Sequence, residues 1–292
     1  MDPDFVVTEL EAPTSFTDWS SFQARARVCN VGGSGASAGE TRLVFSQDAV
    51  ADTMDFVAAT GWATYLSPGQ CDWVDLWGAA PGSPPNAWYL IAQADAPDFV
   101  LEGDETNNSL ALGPLGVGYG PDLVVKALST PAVADSAFQA SFQICNLGTD
   151  YAPGSDVTFY ASTDTSIETS SSPNPDFMLG TSWVSSLSPG ECRTEQASLL
   201  AGPWGEYFIG AVVDELGMQA ELVTSNNTFV GGVMGFGYGP DLVVSAIDAP
   251  PSANGAFEAQ VTVCNQGNGY ASGSDVNLYA SADEVLDLPP AP

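Results

Sequence analysis

Pro3-Asp4-Phe5-Val6-Val7 returns as Pro121-Asp122-Leu123-Val124-Val125 and again as Pro240-Asp241-Leu242-Val243-Val244, at spacings of 118 and 119 residues. Other blocks keep step with it. Val28-Cys29-Asn30 recurs as Ile144-Cys145-Asn146 and Val263-Cys264-Asn265. Leu66-Ser67-Pro68-Gly69-Gln70-Cys71 recurs as Leu187-Ser188-Pro189-Gly190-Glu191-Cys192, and Asn107-Asn108-Ser109 as Asn226-Asn227-Thr228. Blocks that hold order and spacing define an internal repeat. A period near 118 residues is too long for a solenoid unit and suits a whole small domain.

The joints repeat as well: Gly118-Tyr119-Gly120 and Gly237-Tyr238-Gly239 precede the second and third copies. The units therefore run over residues 1–113, 114–232 and 233–292. Each reads as short alternating segments broken by Pro, Gly, Ser and Asn. In the first unit, strands are predicted near 4–12, 21–30, 41–47, 56–66, 70–79, 87–95 and 107–112. About seven strands without helical periodicity imply an all-β unit, an antiparallel sandwich of two sheets. The third unit offers its first three strands and stops after Ala280-Ser281-Ala282-Asp283 and a short tail. Half a sandwich leaves its core uncovered, so we expect either that the natural chain continues or that a neighbouring chain adds the missing strands.

Five cysteines follow the repeat: Cys29 with Cys71, Cys145 with Cys192, and Cys264 alone. One disulfide per complete unit is predicted. Phe22, Ala24, Ala26 and Val28 form an apolar face, which puts Gln23, Arg25, Arg27 and Cys29 on the outer one. Val74 and Leu76 point inward likewise, and Cys71, Trp73, Asp75 and Trp77 outward. A Cys29–Cys71 bond between antiparallel neighbours is then a staple within one sheet, worth roughly 4 kcal/mol on the chain-entropy account. It sets Arg27 opposite Trp73, Arg25 opposite Asp75 and Gln23 opposite Trp77. We expect Arg25 to pair with Asp75 and Arg27 to lie over Trp73. The same strip also reads as a docking surface for a partner or a sugar.

Composition narrows the chemistry. There are 36 acidic residues against five basic ones, a net charge of −31, and no histidine. Such a charge repels nucleic acid and anionic membranes, and no apolar run approaches a membrane span. It keeps an array soluble or suits cation-rich surroundings. The absence of histidine rules out a serine–histidine mechanism and removes the commonest metal ligand. The densest carboxylates, Asp95, Asp98, Glu102, Asp104 and Glu105, fall on the last hairpin of unit one. Oxygen ligands on a turn suit calcium, and solvated hairpin charge is the competing reading. The second unit keeps only Asp214, Glu215 and Glu221 there, so the same site is not expected twice. Other acidic loops hold Asp48, Asp52 and Asp55, and Asp164, Glu168 and Asp176. Paired carboxylates can serve a glycosidase, but these sit on turns and strand ends without an evident cleft. The Asn-Asn-Ser and Asn-Asn-Thr steps match a glycosylation sequon and are read instead as amides tying down the backbone at the last strand. No signal peptide is legible before Phe5, so any export signal is expected outside this sequence.

Taken together, Pro-Asp-Leu-Val-Val, Cys-Asn-x-Gly, Tyr160-Ala161-Ser162-Thr163-Asp164-Thr165, Leu187-Ser188-Pro189-Gly190, Tyr207-Phe208-Ile209 and Glu102-Gly103-Asp104-Glu105-Thr106-Asn107-Asn108-Ser109 resemble CARDB, the cell-adhesion-related domain found in bacteria. The paired cysteines depart from its common pattern, as does Thr224-Ser225-Asn226-Asn227. The resemblance implies immunoglobulin-like sandwiches in tandem on an exported surface protein, usually without catalysis of their own; apart from calcium, no cofactor is expected. The expected partners are other protein chains or copies of itself in a surface assembly. The alternative is a carbohydrate-binding accessory region of a secreted enzyme, with Trp73 and Trp77 as its platform.

Overall fold

The computed structural model describes residues 2–82 and 85–282, and every regular element among them is a strand. Unit one runs β1 (Phe5–Glu11), β2 (Ser15–Phe16), β3 (Ser21–Asn30), β4 (Ala36–Ser37), β5 (Glu40–Ser46), β6 (Phe56–Trp62), β7 (Tyr65–Leu66), β8 (Cys71–Ala79), β9 (Asn86–Gln93) and β10 (Ser109–Val117). They form a three-stranded sheet, β1-β3-β8, facing a five-stranded sheet, β2-β10-β9-β5-β6. Unit two repeats this with β11 (Leu123–Ser129), β12 (Val133–Ala134), β13 (Phe138–Asn146), β14 (Ser155–Ser162), β15 (Phe177–Val184), β16 (Cys192–Leu199), β17 (Gly205–Val213) and β18 (Thr228–Phe236). Its sheets are β11-β13-β16 and β12-β18-β17-β14-β15. The immunoglobulin-like sandwich expected from the strand count is the fold.

Alternation decides what the sheets bury. Ala24, Ala26 and Val28 of β3 pack with Val74 and Leu76 of β8 against Leu43, Phe45, Leu90 and Ala92 of the opposite sheet. In unit two Ala140, Phe142 and Ile144 meet Phe159, Leu179 and Ile209. Each large buried side chain contributes on the order of 2–3 kcal/mol of burial free energy. The disulfides Cys29–Cys71 and Cys145–Cys192 join directly opposed residues of neighbouring strands.

The repeated motifs have a common structural task. Asn30 is buried at the end of β3; its Oδ1 accepts from the N–H groups of Asp4 (3.2 Å) and Gly32 (3.0 Å), and its Nδ2 donates to the carbonyls of Ser34 (2.8 Å) and Leu66 (3.0 Å). Asn146 repeats all four bonds, to Asp122, Gly148, Asp150 and Leu187. One amide thus satisfies four backbone groups that a sandwich corner would otherwise bury unpaired. Leu-Ser-Pro-Gly supplies a tight turn whose glycine, at φ +77° and +74°, returns its N–H to the carbonyl of that same asparagine.

The structure departs from the strand reading at its edges. The segment expected at 56–66 divides into β6 and β7, and β7 pairs with β4 in a separate ribbon. The last strand continues through Gly113-Pro114 to Val117, past residue 113, where the sequence reading ended unit one. In the third unit, β19 (Leu242–Asp248) and β20 (Gln260–Asn265) pair, and the expected third strand is not formed in residues 266–282. Its counterparts β5 and β14 are each bonded on both sides, by β6 and β9 and by β15 and β17, and no such neighbours occur among the described residues of unit three. The face of the β19–β20 pair that corresponds to buried core stays open, with Val244 53% and Val263 42% exposed. Residues 283–292 of that unit lie outside the described residues.

The joints are built alike. Thr149 Oγ1 donates to the carbonyl of Gly118 (2.6 Å) and accepts from the N–H of Gly120 (3.2 Å). Asn268 does the same for Gly237 (3.0 Å) and Gly239 (2.9 Å). Leu222, from unit two, is buried against Gly116 of β10, where an added Cβ would come within 2.8 Å of it.

Candidate functional site

The expected strip on the outer face of the β1-β3-β8 sheet has the expected register: Cys29 opposite Cys71, Arg27 opposite Trp73, Arg25 opposite Asp75 and Gln23 opposite Trp77. The contacts are different. Arg25 bonds Glu11 at 2.6 Å, and its guanidinium lies 4.5 Å from the Trp73 ring centre. Arg27 bonds Glu9 at 2.5 Å. The pairing of Arg25 with Asp75 and the placement of Arg27 over Trp73 are therefore corrected. The reason is the other flank of β3: Glu11 stands opposite Arg25 and Glu9 opposite Arg27 on β1. A guanidinium between two strands takes the carboxylate that reaches it best and lays its plane on the diagonal indole. The Arg25 hydrogen bond holds the Glu11 carboxyl below its ordinary range. The Trp73 ring carries Arg25, while Trp77 stands 67% exposed. Unit two carries Gln143, Ser141 and Gln139 at these positions, opposite Thr194, Gln196 and Ser198, so the charged strip belongs to unit one alone.

The last-hairpin carboxylates do not converge. Asp95 accepts from the Val100 N–H (2.7 Å), Asp104 from the Thr106 N–H (2.9 Å), and Glu105 from the Glu102 N–H (2.8 Å). Asp98 takes part through its backbone, its N–H on the Asp95 carbonyl at 2.7 Å, with φ at +54°. No group of three or more Asp, Glu, Cys or His side chains among the described residues is placed to hold a metal ion. The calcium expectation finds no assembled ligand group here; backbone N–H groups engage one oxygen each of Asp95, Asp104 and Glu105, and the other oxygen of Asp95 is buried without a hydrogen-bond partner.

These residues build a clamp, and the clamp occurs twice. Glu102 accepts from the Phe5 N–H at the start of β1 and from Asn108 Nδ2 at 2.9 Å. Glu221 accepts from the Leu123 N–H at 2.7 Å and from Asn227 Nδ2. The neighbouring asparagines complete it: Asn107 bonds Asp4 and Asn226 bonds Asp122, each at 2.9 Å. The first strand of units one and two is thereby tied to the loop before the last strand. The sequence reading underrated the second unit, because the recurring group is Glu102/Glu221 with the Asn-Asn pair rather than the full set of acids. It also left out Asp4 and Asp122, although both stand in the repeated Pro-Asp step. Burial pushes the carboxyls of Glu102 and Glu221 up to about 7 and raises Asp122.

Two further tryptophans were not singled out from sequence. Trp62 on β6 and Trp183 on β15 stand at equivalent places on the outer face of the five-stranded sheets, 71% and 66% exposed.

A CARDB family model matches residues 2–112 and 120–231. No curated protein matches the chain significantly. Among solved structures, the CARDB domain of a Pyrococcus furiosus protein, in complex with di-metal ions, is 24% identical over 40% of this chain and 89% of its own, with a TM-score of 0.31. A domain of a Methanosarcina acetivorans protein, provisionally described as a cell surface protein, is 23% identical over 40% and 92%, with a TM-score of 0.29. Red sea bream transglutaminase is 10% identical over 82% of this chain and 32% of its own, with a TM-score of 0.35. The family match coincides with the two sandwiches and with the Asn, Pro-Gly and Asn-Asn devices that build them, and so the chain belongs to the CARDB family, of which it carries two copies in tandem.

Proposed function

We propose that this chain is a non-catalytic structural and adhesive array of a bacterial cell surface, serving as part of a stalk or fibre. The observation that carries the reading is the joint. Thr149 and Asn268 bridge the Gly-Tyr-Gly linkers in the same way at both junctions, and Leu222 packs on Gly116 across the first. A joint that spends side-chain hydrogen bonds on itself transmits position, whereas a flexible tether does not. The in-sheet disulfides fit an oxidising, extracellular setting. The charge of −31 suits a protein that must stay soluble and unaggregated outside the cell.

Small-angle scattering of the soluble chain tests this. A stiff array gives one extended particle with a narrow size distribution. Gly116→Val, which drives a side chain into Leu222, combined with Thr149→Ala, should broaden it. A wild-type chain already as broad as the variant would sink the stalk reading.

A further inference from the structure

The outer faces of the two five-stranded sheets differ at one informative place. Trp62 is the cross-strand partner of Glu40, and Trp183 that of Asp156. Beside these pairs, Arg42 lies opposite Thr60 in unit one, and Thr158 opposite Thr181 in unit two. The frames share a tryptophan, a carboxylate and a threonine, and an arginine in one is a threonine in the other. In unit one the guanidinium is supplied by the chain: Arg42 Nε and Nη2 lie 3.2 and 2.9 Å from Oε1 of Glu40.

In unit two Thr158 leaves Asp156 without that cation. A cleft of about 370 Å³ opens there, lined among others by Trp183, Asp156, Thr181, Glu215 and Gln219. No lysine or arginine lines it. Its carboxylates are Asp156, Asp214 and Glu215. Asp214 and Glu215 are fixed in place, Asp214 by the Met218 and Gln219 N–H groups and Glu215 by Ser170 and the Tyr160 hydroxyl. The Trp183 ring is backed by Gly154, where an added Cβ would fall 2.4 Å from it, so the indole has a fixed support. An indole beside carboxylates, with no cation among them, favours a planar cation rich in N–H donors.

The structure assigns this cleft as a binding site for an arginine side chain of a partner protein. In the first unit the corresponding carboxylate, Glu40, is paired by the chain's own Arg42. All four arginines of these 292 residues are ion-paired with carboxylates of the same chain, Glu11, Glu9, Glu40 and Glu191, and we take the incoming guanidinium from a partner protein. The inference rests on the geometry of unit two and is independent of the stalk reading.

The test is calorimetric titration of the whole chain with acetyl-Gly-Arg-Gly-amide at about 150 mM salt, where long-range attraction to the acidic surface is screened. The expected result is saturable one-to-one binding, at least about tenfold tighter than for the neutral citrulline analogue or the lysine peptide. Thr158→Arg, which installs the guanidinium of unit one, should weaken binding by at least about tenfold, and so should Trp183→Ala, which leaves net charge unchanged. Trp62→Ala should bind as the wild type does. Melting curves establish that each variant is folded, and Asp156→Asn serves in place of Thr158→Arg if that one is not. Equal binding of the citrulline or lysine peptide overturns the assignment. So does undiminished binding by Trp183→Ala, or capture of a neutral cello-oligosaccharide at Trp183 in place of the arginine peptide.

Discussion

Raising the pH from 5.5 to 8 at constant salt should destabilise both sandwiches. The groups responsible are Glu102 and Glu221, whose carboxyls burial pushes up to about 7 from an ordinary 4.5. An acid with a raised pKa in the fold binds more protons folded than unfolded between those two values, so stability falls as pH rises through that window. The clamp is at full strength below about 4.5 and carries its whole desolvation penalty above about 7. From 5.5 to 7 the linkage is at most about 2 kcal/mol per unit, at 1.36 kcal/mol per pH unit. Water at the hairpin screens part of this, leaving about 1 kcal/mol. For a unit of this size that lowers the melting temperature by about 4 °C. Asp122, also raised by burial, acts in the same sense. The chain has no histidine to confuse the window. Calorimetric melting at several pH values reads the effect. In a Glu102→Gln, Glu221→Gln variant, which keeps an acceptor for Phe5 and Leu123 but cannot ionise, the fall should flatten. A wild-type melting temperature that rises with pH, or an equal fall in the double variant, would refute the reasoning.

Other expectations concern the devices that repeat. Replacing Cys29 and Cys71 by alanine should cost unit one about 4 kcal/mol, read by urea unfolding, while unit two keeps its own transition. Asn146→Ala strands several buried backbone groups and should lower the stability of unit two by at least about 2 kcal/mol; a loss near zero would mean water replaces the amide. Phe142→Ala, which removes a fully buried ring, should cost about 3–5 kcal/mol in the same unit. Arg25→Ala should destabilise unit one measurably at low salt and less at high salt, and Asp75→Asn should do neither, because Glu11 and not Asp75 holds the guanidinium.

Much of this protein was legible along the chain. The period-two alternation of Phe22 to Cys29 settled which face of β3 is buried, since successive side chains leave a strand on opposite sides. The return of Cys29 and Cys71 as Cys145 and Cys192, on faces already assigned, settled the disulfides and with them the register between β3 and β8. The same local pattern was silent on partners, because each strand has two flanks. Arg25 was read against β8 and is held by Glu11 of β1, a choice made by reach and twist among three strands. Glu102 lies 97 residues from Phe5 along the chain, so their contact exists only once the first strand and the last hairpin are brought side by side. Arg42 and Thr158 occupy one frame only because β5 and β14 share a register with their edge strands, which no single segment encodes. Covalent geometry and side-chain alternation write strands and faces into the sequence. Which charge meets which, and which cleft is left open, depends on distances between segments remote in sequence, and only the packed sheets set those.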